Sequence, residues 1–204
     1  AANNVAVGHN ALTANTTGTE NVAVGATALD ACTTGSYNHA MGKSAGGAIT
    51  TGVCNIAIGN TTLSTATTAD NNTAVGHNSL SVNTADNNTA VGFDVLKANT
   101  TGTANVAVGY AALDANTTAN NNTAVGYNAL TATTVGHSNT TVGKNAGAAI
   151  TTGDANVAIG SDALEANTTA DNNTAVGASA LAANTTGANA VAVGKGALTA
   201  NTTG

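Results

Sequence analysis

Few of the 204 residues carry groups able to do acid–base or nucleophilic chemistry: ten carboxylates, four histidines, four lysines and two cysteines. The histidines, His9, His39, His77 and His137, fall at positions 9, 5, 9 and 2 of the repeat described below and converge on no common site. No nucleophile–base–acid set accompanies them, and no phosphate loop or cofactor motif is present; the recurring NxGxxA glycines read as turn glycines. Cys32 and Cys54 are separated by neither the spacing of a zinc pair nor that of a redox CxxC, so free thiols are expected. Asp70 with Asp86, and Asp154 with Asp171, occupy like places in adjacent repeats and invite either repulsion or a cation. Calcium wants six to eight oxygens, and the glycine–aspartate nonapeptide of calcium-binding rolls is missing, so no metal site is expected. The chain is therefore expected to be no enzyme and to hold no cofactor.

One set of side chains stands apart. His77, Phe93, Tyr110, Tyr127 and Lys144 occupy the same place in five successive repeats. Stacked repeats would join the three aromatic rings in a ladder roughly 10 Å long. Such a ladder is either a platform for a sugar ring or other flat ligand, or side chains packing over their neighbours. It is the best candidate binding patch in the chain.

What must position these residues is a repeat. NVAVG at Asn4 returns at Asn21, as NIAIG at Asn55, NTAVG at Asn72 and NVAIG at Asn156. Its terminal glycine recurs from Gly8 to Gly194 at intervals of 17 residues, with one interval of 16 between Gly76 and Gly92. The whole of 1–204 is thus a single repeat domain of twelve units: 1–17, 18–34, 35–51, 52–68, 69–84, 85–101, 102–118, 119–135, 136–152, 153–169, 170–186 and 187–204. Numbered within the unit, position 8 is always Gly, position 7 is always Val, Ile or Met, and position 6 is Ala except at Thr141. Position 4 is Asn except at Ala190, position 12 is Leu in ten units, and position 16 is always Thr.

The unit shows no run of 3.6 periodicity, whereas positions 5 and 7 alternate with 4, 6 and 8, as in a strand. A second short strand is expected around positions 11 to 14, and NTTG at 15 to 1 reads as a turn whose Asn and Gly take φ > 0. Two short strands and two turns per unit describe one coil of an all-β parallel β-solenoid. At about 4.8 Å per coil the rod would be roughly 55 to 60 Å long. The coil interior is assigned to the aliphatics at 5, 7 and 12, among them Val5, Val7, Leu12, Val24, Leu29 and Ile58. Where leucine is lost, at Gly46 and Gly147, position 15 becomes Ile49 and Ile150, a volume-conserving exchange that puts both isoleucines in the core.

With 5 and 7 inside, Ala6, Ala23, Ala57 and Ala107 would face outward. Near-constant alanine there has two readings: small residues suit tight coils, or the face is buried against another chain, as in a trimer. The second is preferred and makes these alanines candidate chain–chain contacts. Asn4 and its equivalents would form an amide ladder along the rod, and the threonines at 16 a similar row. All acidic residues lie at 2, 3, 10 or 13, and the lysines at 9 or 13, a solvated rim.

Composition agrees with a thin, tightly turned backbone: 42% hydrophobic, largely alanine, with no proline and no tryptophan. A net charge of −6 disfavours nucleic acid, which requires a basic stripe. No apolar run is long enough to insert in a membrane, and no signal-peptide pattern opens the chain, so it is expected to be part of something longer or processed.

The unit NxAxGxxAL resembles the head repeats of trimeric autotransporter adhesins of the YadA type, in which a strand such as SVAIG recurs. It is equally similar to the NTAVGYNAL…NTTG and AGxxITTGxxNIAIG arrays of phage tail fibres and related bacterial surface fibres. The carriers here are Asn122 to Leu130, Asn15 to Gly18 and Ala45 to Gly59. The resemblance spans the chain and implies a left-handed parallel β-roll, three chains packed together, and a non-enzymatic extracellular fibre segment. Its partners would be copies of itself and a cell-surface receptor or glycan. Two other readings belong to different classes: an ice-binding solenoid using threonine rows, and a curli-like filament stacked end to end.

Overall fold

The computed structural model describes residues 1–203. Twelve three-residue strands, from β1 (Val5–Val7) to β12 (Val191–Val193), are its regular elements, and none of the described residues is helical. The strands form one parallel sheet in chain order. Like positions pair: Val5 with Val22, Ala6 with Ala23, Val7 with Val24. The 16-residue step keeps the same register, Thr73 opposite Thr89, because the missing residue belongs to the turn. The chain is an all-β parallel β-solenoid.

Each coil has one strand, not two. Positions 11 to 14 are turns because the leucine at 12 holds a left-handed backbone in all ten coils that have it, φ 48° to 54°. Left-handed backbone costs a residue with a Cβ about 1–2 kcal/mol. Full burial of a leucine side chain returns about 1.5–3 kcal/mol, so the interior contact outweighs the strain. Position 12 turns its N–H forward, as Leu29 does to the Ala45 carbonyl, while position 10 donates backward, as Thr27 does to His9.

Positive φ occurs at positions 3, 8, 10 and 12, and not in the NTTG turn. Gly8 needs its glycine twice over: its φ is +133°, and a Cβ would lie 2.6 Å from the Gly25 carbonyl oxygen. Gly18 is small for the second reason alone, since a Cβ there would sit 2.5 Å from the Asn15 amide nitrogen.

The two faces of the strand are the reverse of the expectation. Ala23, Ala57 and Ala107 are buried inside their own chain, and Ala6 is exposed only because its coil is the first. Val5, Val7 and Ile58, assigned to the core, are exposed, and Val24 is half-buried. The reason is width. The strand faces the leucine turn across a narrow interior: buried position 6 is Ala except at Thr141, and buried position 11 is mostly Ala, as at Ala28 and Ala112, with Thr62 and Val95 the larger exceptions. Leu12, Leu29, Ile49 and Ile150 are core residues as expected.

The leucine-for-isoleucine exchange is visible atom by atom. A Cβ on Gly46 would lie 3.0 Å from Ile49 Cδ1, and one on Gly147 would lie 2.9 Å from Ile150 Cδ1 and 3.0 Å from Thr141 Cγ2. Thr141, the one residue larger than alanine at position 6, therefore helps fill the space left by the second missing leucine.

Polar ladders hold the coils together. The Asn21 and Asn38 N–H groups donate to the Oδ1 of Asn4 and Asn21, each at 2.9 Å. Their Nδ2 groups donate onward to Gly35 and Gly52, each at 2.8 Å. A second interior ladder runs at position 15, where Asn116 Nδ2 donates to Asn99 Oδ1 at 2.6 Å. The threonine row at 16 is equally regular: Thr16 Oγ1 donates to the Thr33 carbonyl at 3.1 Å and Thr100 Oγ1 to Thr117 at 2.9 Å. Each coil satisfies its neighbour, so backbone polarity is matched mainly along the rod, with turn bonds such as Cys32 N–H to the Leu29 carbonyl closing within a coil.

Candidate functional site

Position 9 follows the turn glycine and lies on the outside of the rod. There the sequence-predicted ladder forms. Ring centroids are 5.4 Å apart for His77 and Phe93, 5.5 Å for Phe93 and Tyr110, and 5.2 Å for Tyr110 and Tyr127, with planes within 11° of parallel. Identical backbone register in successive coils produces this, and stacked rings at such separations attract one another.

The geometry changes what the ladder can bind. A sugar stacks on the face of an aromatic ring, yet here each inner face is covered by the next ring, and the gaps admit no third flat group. Between neighbouring rings only the edges are open, although the Phe93, Tyr110 and Tyr127 side chains are about half exposed. Stacking over neighbouring coils, the second of the two sequence readings, is what the rings do. Beside them Lys97 lies 3.1 Å from Asp94 and 3.7 Å from Asp114. The hydrogen bond to Asp94, more than the surrounding charges, holds the Lys97 pKa above its ordinary value.

The paired aspartates have a backbone role that the sequence did not show. Asp70 Oδ1 accepts the Val53 N–H at 2.8 Å, and Asp86 Oδ1 accepts that of Asp70 at 2.9 Å. Asp154 and Asp171 accept in the same way from His137 and Asp154, at 2.6 and 2.8 Å. At His137 the ring takes that part, Nδ1 accepting from the Asn120 N–H at 2.9 Å. In seven coils position 2 thus supplies an acceptor, for which Asp, Asn, Ser and His serve interchangeably. That tolerance was the available signal.

Both cysteines are free. Buried Cys32 stands in the asparagine ladder at position 15, its Sγ 3.6 Å from the Gly35 carbonyl that an asparagine amide would meet. Desolvation raises its pKa, partly offset by that backbone contact. Cys54 is exposed.

The larger surface is one that sequence reasoning placed inside. Positions 5 and 7 project from the twelve-stranded sheet as two columns running the length of the rod. Position 7 is aliphatic or Met throughout, and residues such as Ile58 and Ile159 are 40% and 39% exposed. Position 5 is Val, Ile or Thr except at His39, and neither column has a lysine or a carboxylate. Five threonines at position 5 were the available sign that this face looks outward. Compared with known proteins, the chain matches no family model, no curated protein and no solved structure.

Proposed function

We propose that the chain is a non-enzymatic structural segment of an extracellular fibre, of the surface-adhesin or phage tail-fibre kind. In this reading the rod extends or displays a binding surface, and its sheet face packs against copies of itself, as a trimer or other homo-oligomer. The observation that carries it is the long sheet face, aliphatic or Met at every position 7 and free of lysine and carboxylate in both columns across twelve coils. Contiguous apolar surface beyond a few hundred Å² is rare on a soluble monomer and marks contact with a partner. A repeating face is complementary to itself, and a partner of the same chain matches its length and spacing. The alanines at position 6 play no part in this packing.

Light scattering and small-angle scattering test the reading on the purified chain. An elongated particle whose mass is a multiple of 19.3 kDa is expected. The double variant Val108→Lys, Val125→Lys is expected to give an elongated monomer with unchanged circular dichroism. A compact particle, or an unmodified chain that stays monomeric at high concentration, rules the proposal out.

The same face favours a second reading, an ice-binding surface. It presents methyl and threonine side chains at the regular spacing of a parallel sheet, whereas the threonine hydroxyls at 16 are committed to backbone carbonyls. Thermal hysteresis by a monomer, lost in Thr123→Lys, would establish it in place of self-association; none above a control protein would dismiss it.

A further inference from the structure

We propose that Asn71, Asn87, Asn121 and Asn172 are acceptor sites for N-linked glycosylation, forming a column of glycans along one border of the exposed sheet face. Each begins an N-N-T triplet, ending at Thr73, Thr89, Thr123 and Thr174 respectively. An Asn-x-Thr triplet on an accessible turn is the acceptor pattern that N-glycosyltransferases read. In so Asn- and Thr-rich a chain the triplet alone means little. The fold sorts the occurrences.

Most other copies of the triplet are closed. Asn99, Asn116 and Asn139 are buried in ladders, their amide nitrogens already donating to Asn83, Asn99 and Gly153. Asn60 is exposed, but the hydroxyl two residues on, that of Thr62, is buried and donates to the Gly59 carbonyl. At the four proposed sites the asparagine is exposed, on a left-handed turn of φ 58° to 63°, and the threonine is half-buried on the outer strand face.

Neither residue is required there by the coil. Position 3 takes the same backbone at Glu20, Tyr37, Cys54 and Ala104, and position 5 is Val or Ile in half of the coils. Yet four of the five threonines at position 5 follow an asparagine at position 3. The asparagine between them, such as Asn72, is locked in the interior ladder, which holds the triplet in one conformation.

The reaction would join Asn Nδ2 to the anomeric carbon of a phosphate-activated sugar. The C–O bond to phosphate breaks, the nucleoside or lipid diphosphate leaves with the electron pair, and a base of the transferase takes the amide proton. Modification must follow folding, because the same reaction on the unfolded chain would also mark Asn99 and Asn116 and block their ladder.

The proposal goes beyond the fibre reading and is tested separately from it. The folded chain, and the same chain denatured, are incubated with a soluble sequon-specific N-glycosyltransferase and a nucleotide-activated hexose, using an enzyme first shown to modify the denatured chain. Peptide mapping by mass spectrometry is expected to find one hexose on each of the four asparagines in the folded chain, and none on Asn60, Asn99, Asn116 or Asn139. Thr123→Val is expected to abolish the addition at Asn121 alone. An unmodified folded chain overturns the proposal, as does addition to the ladder asparagines without unfolding. The oligomeric state of the unmodified chain reports on the fibre reading independently.

Discussion

Alanine at the centre of each strand is small because a leucine turn lies against it. Ala107 is fully buried in its own coil, so Ala107→Leu overpacks a site with no room. An expected loss of about 1–3 kcal/mol would be read from urea denaturation. Val108→Ala, one residue on but facing outward, is expected to cost the isolated chain less than about 1 kcal/mol. If Ala6 and its equivalents faced a partner, the order would be reversed. Cys32 offers a test of the opposite sign. Below it both amide atoms of Asn15 are buried without a partner. Cys32→Asn would extend the ladder and is expected to stabilise the chain by about 1 kcal/mol. A thiol reagent should find one cysteine in the native chain, Cys54, and two after denaturation. Burial raises the Cys32 pKa, so its neutral thiol stabilises the fold fully below the ordinary value of 9.0. That contribution is lost as pH rises through the folded value. The urea midpoint is therefore expected to fall at alkaline pH, and less so in Cys32→Ala.

At the scale of the coil, polar ladders and turn glycines do what a large core does elsewhere. Asn105 Oδ1 accepts the Asn122 N–H at 3.0 Å, and its Nδ2 donates to the Ala119 carbonyl at 2.9 Å. Asn105→Ala leaves both buried groups unpaired, an expected loss of about 3 kcal/mol in thermal or urea unfolding. Asn173→Ala should cost less, because the Asn173 amide nitrogen has no partner and its neighbour Ala190 has already ended the ladder. Equal losses at the two sites would mean that the ladder does not carry this stability. Gly109 has φ +139°, and a Cβ there would press on the Gly126 carbonyl. Gly109→Ala is accordingly expected to disrupt the stack locally, seen as faster amide exchange in the two coils it joins.

Across the whole molecule, each strand touches only the strands before and after it, so stability is a sum over neighbours rather than a property of one globule. Deletion of 102–118, one complete coil, is expected to leave a folded rod with the same circular dichroism per residue. Its urea dependence should decrease by about a twelfth, in proportion to the surface buried. Deletion of 102–109 sets a strand against turns and is expected to give an unfolded or aggregated product. If both deletions behaved alike, coil-by-coil stacking would not be the organising principle.

Much of this architecture is written in the sequence. Gly8 through Gly194 count the coils, Asn4 through Asn173 mark the ladder, and Ile49 and Ile150 reveal where leucine is missing. The aromatic stack from His77 to Tyr127 follows from register alone. A one-dimensional repeat makes this possible, since residues a unit apart in sequence are neighbours in space. What remained hidden was which side of the strand is inside. Alternation shows that Val5 and Val7 share a face, but it does not say which face, because that depends on the width across the coil. The leucine at 12, held with positive φ, brings the turn so close to the strand that position 6 is alanine wherever that leucine is present. That narrow interior moves the valines outward and creates the exposed sheet face.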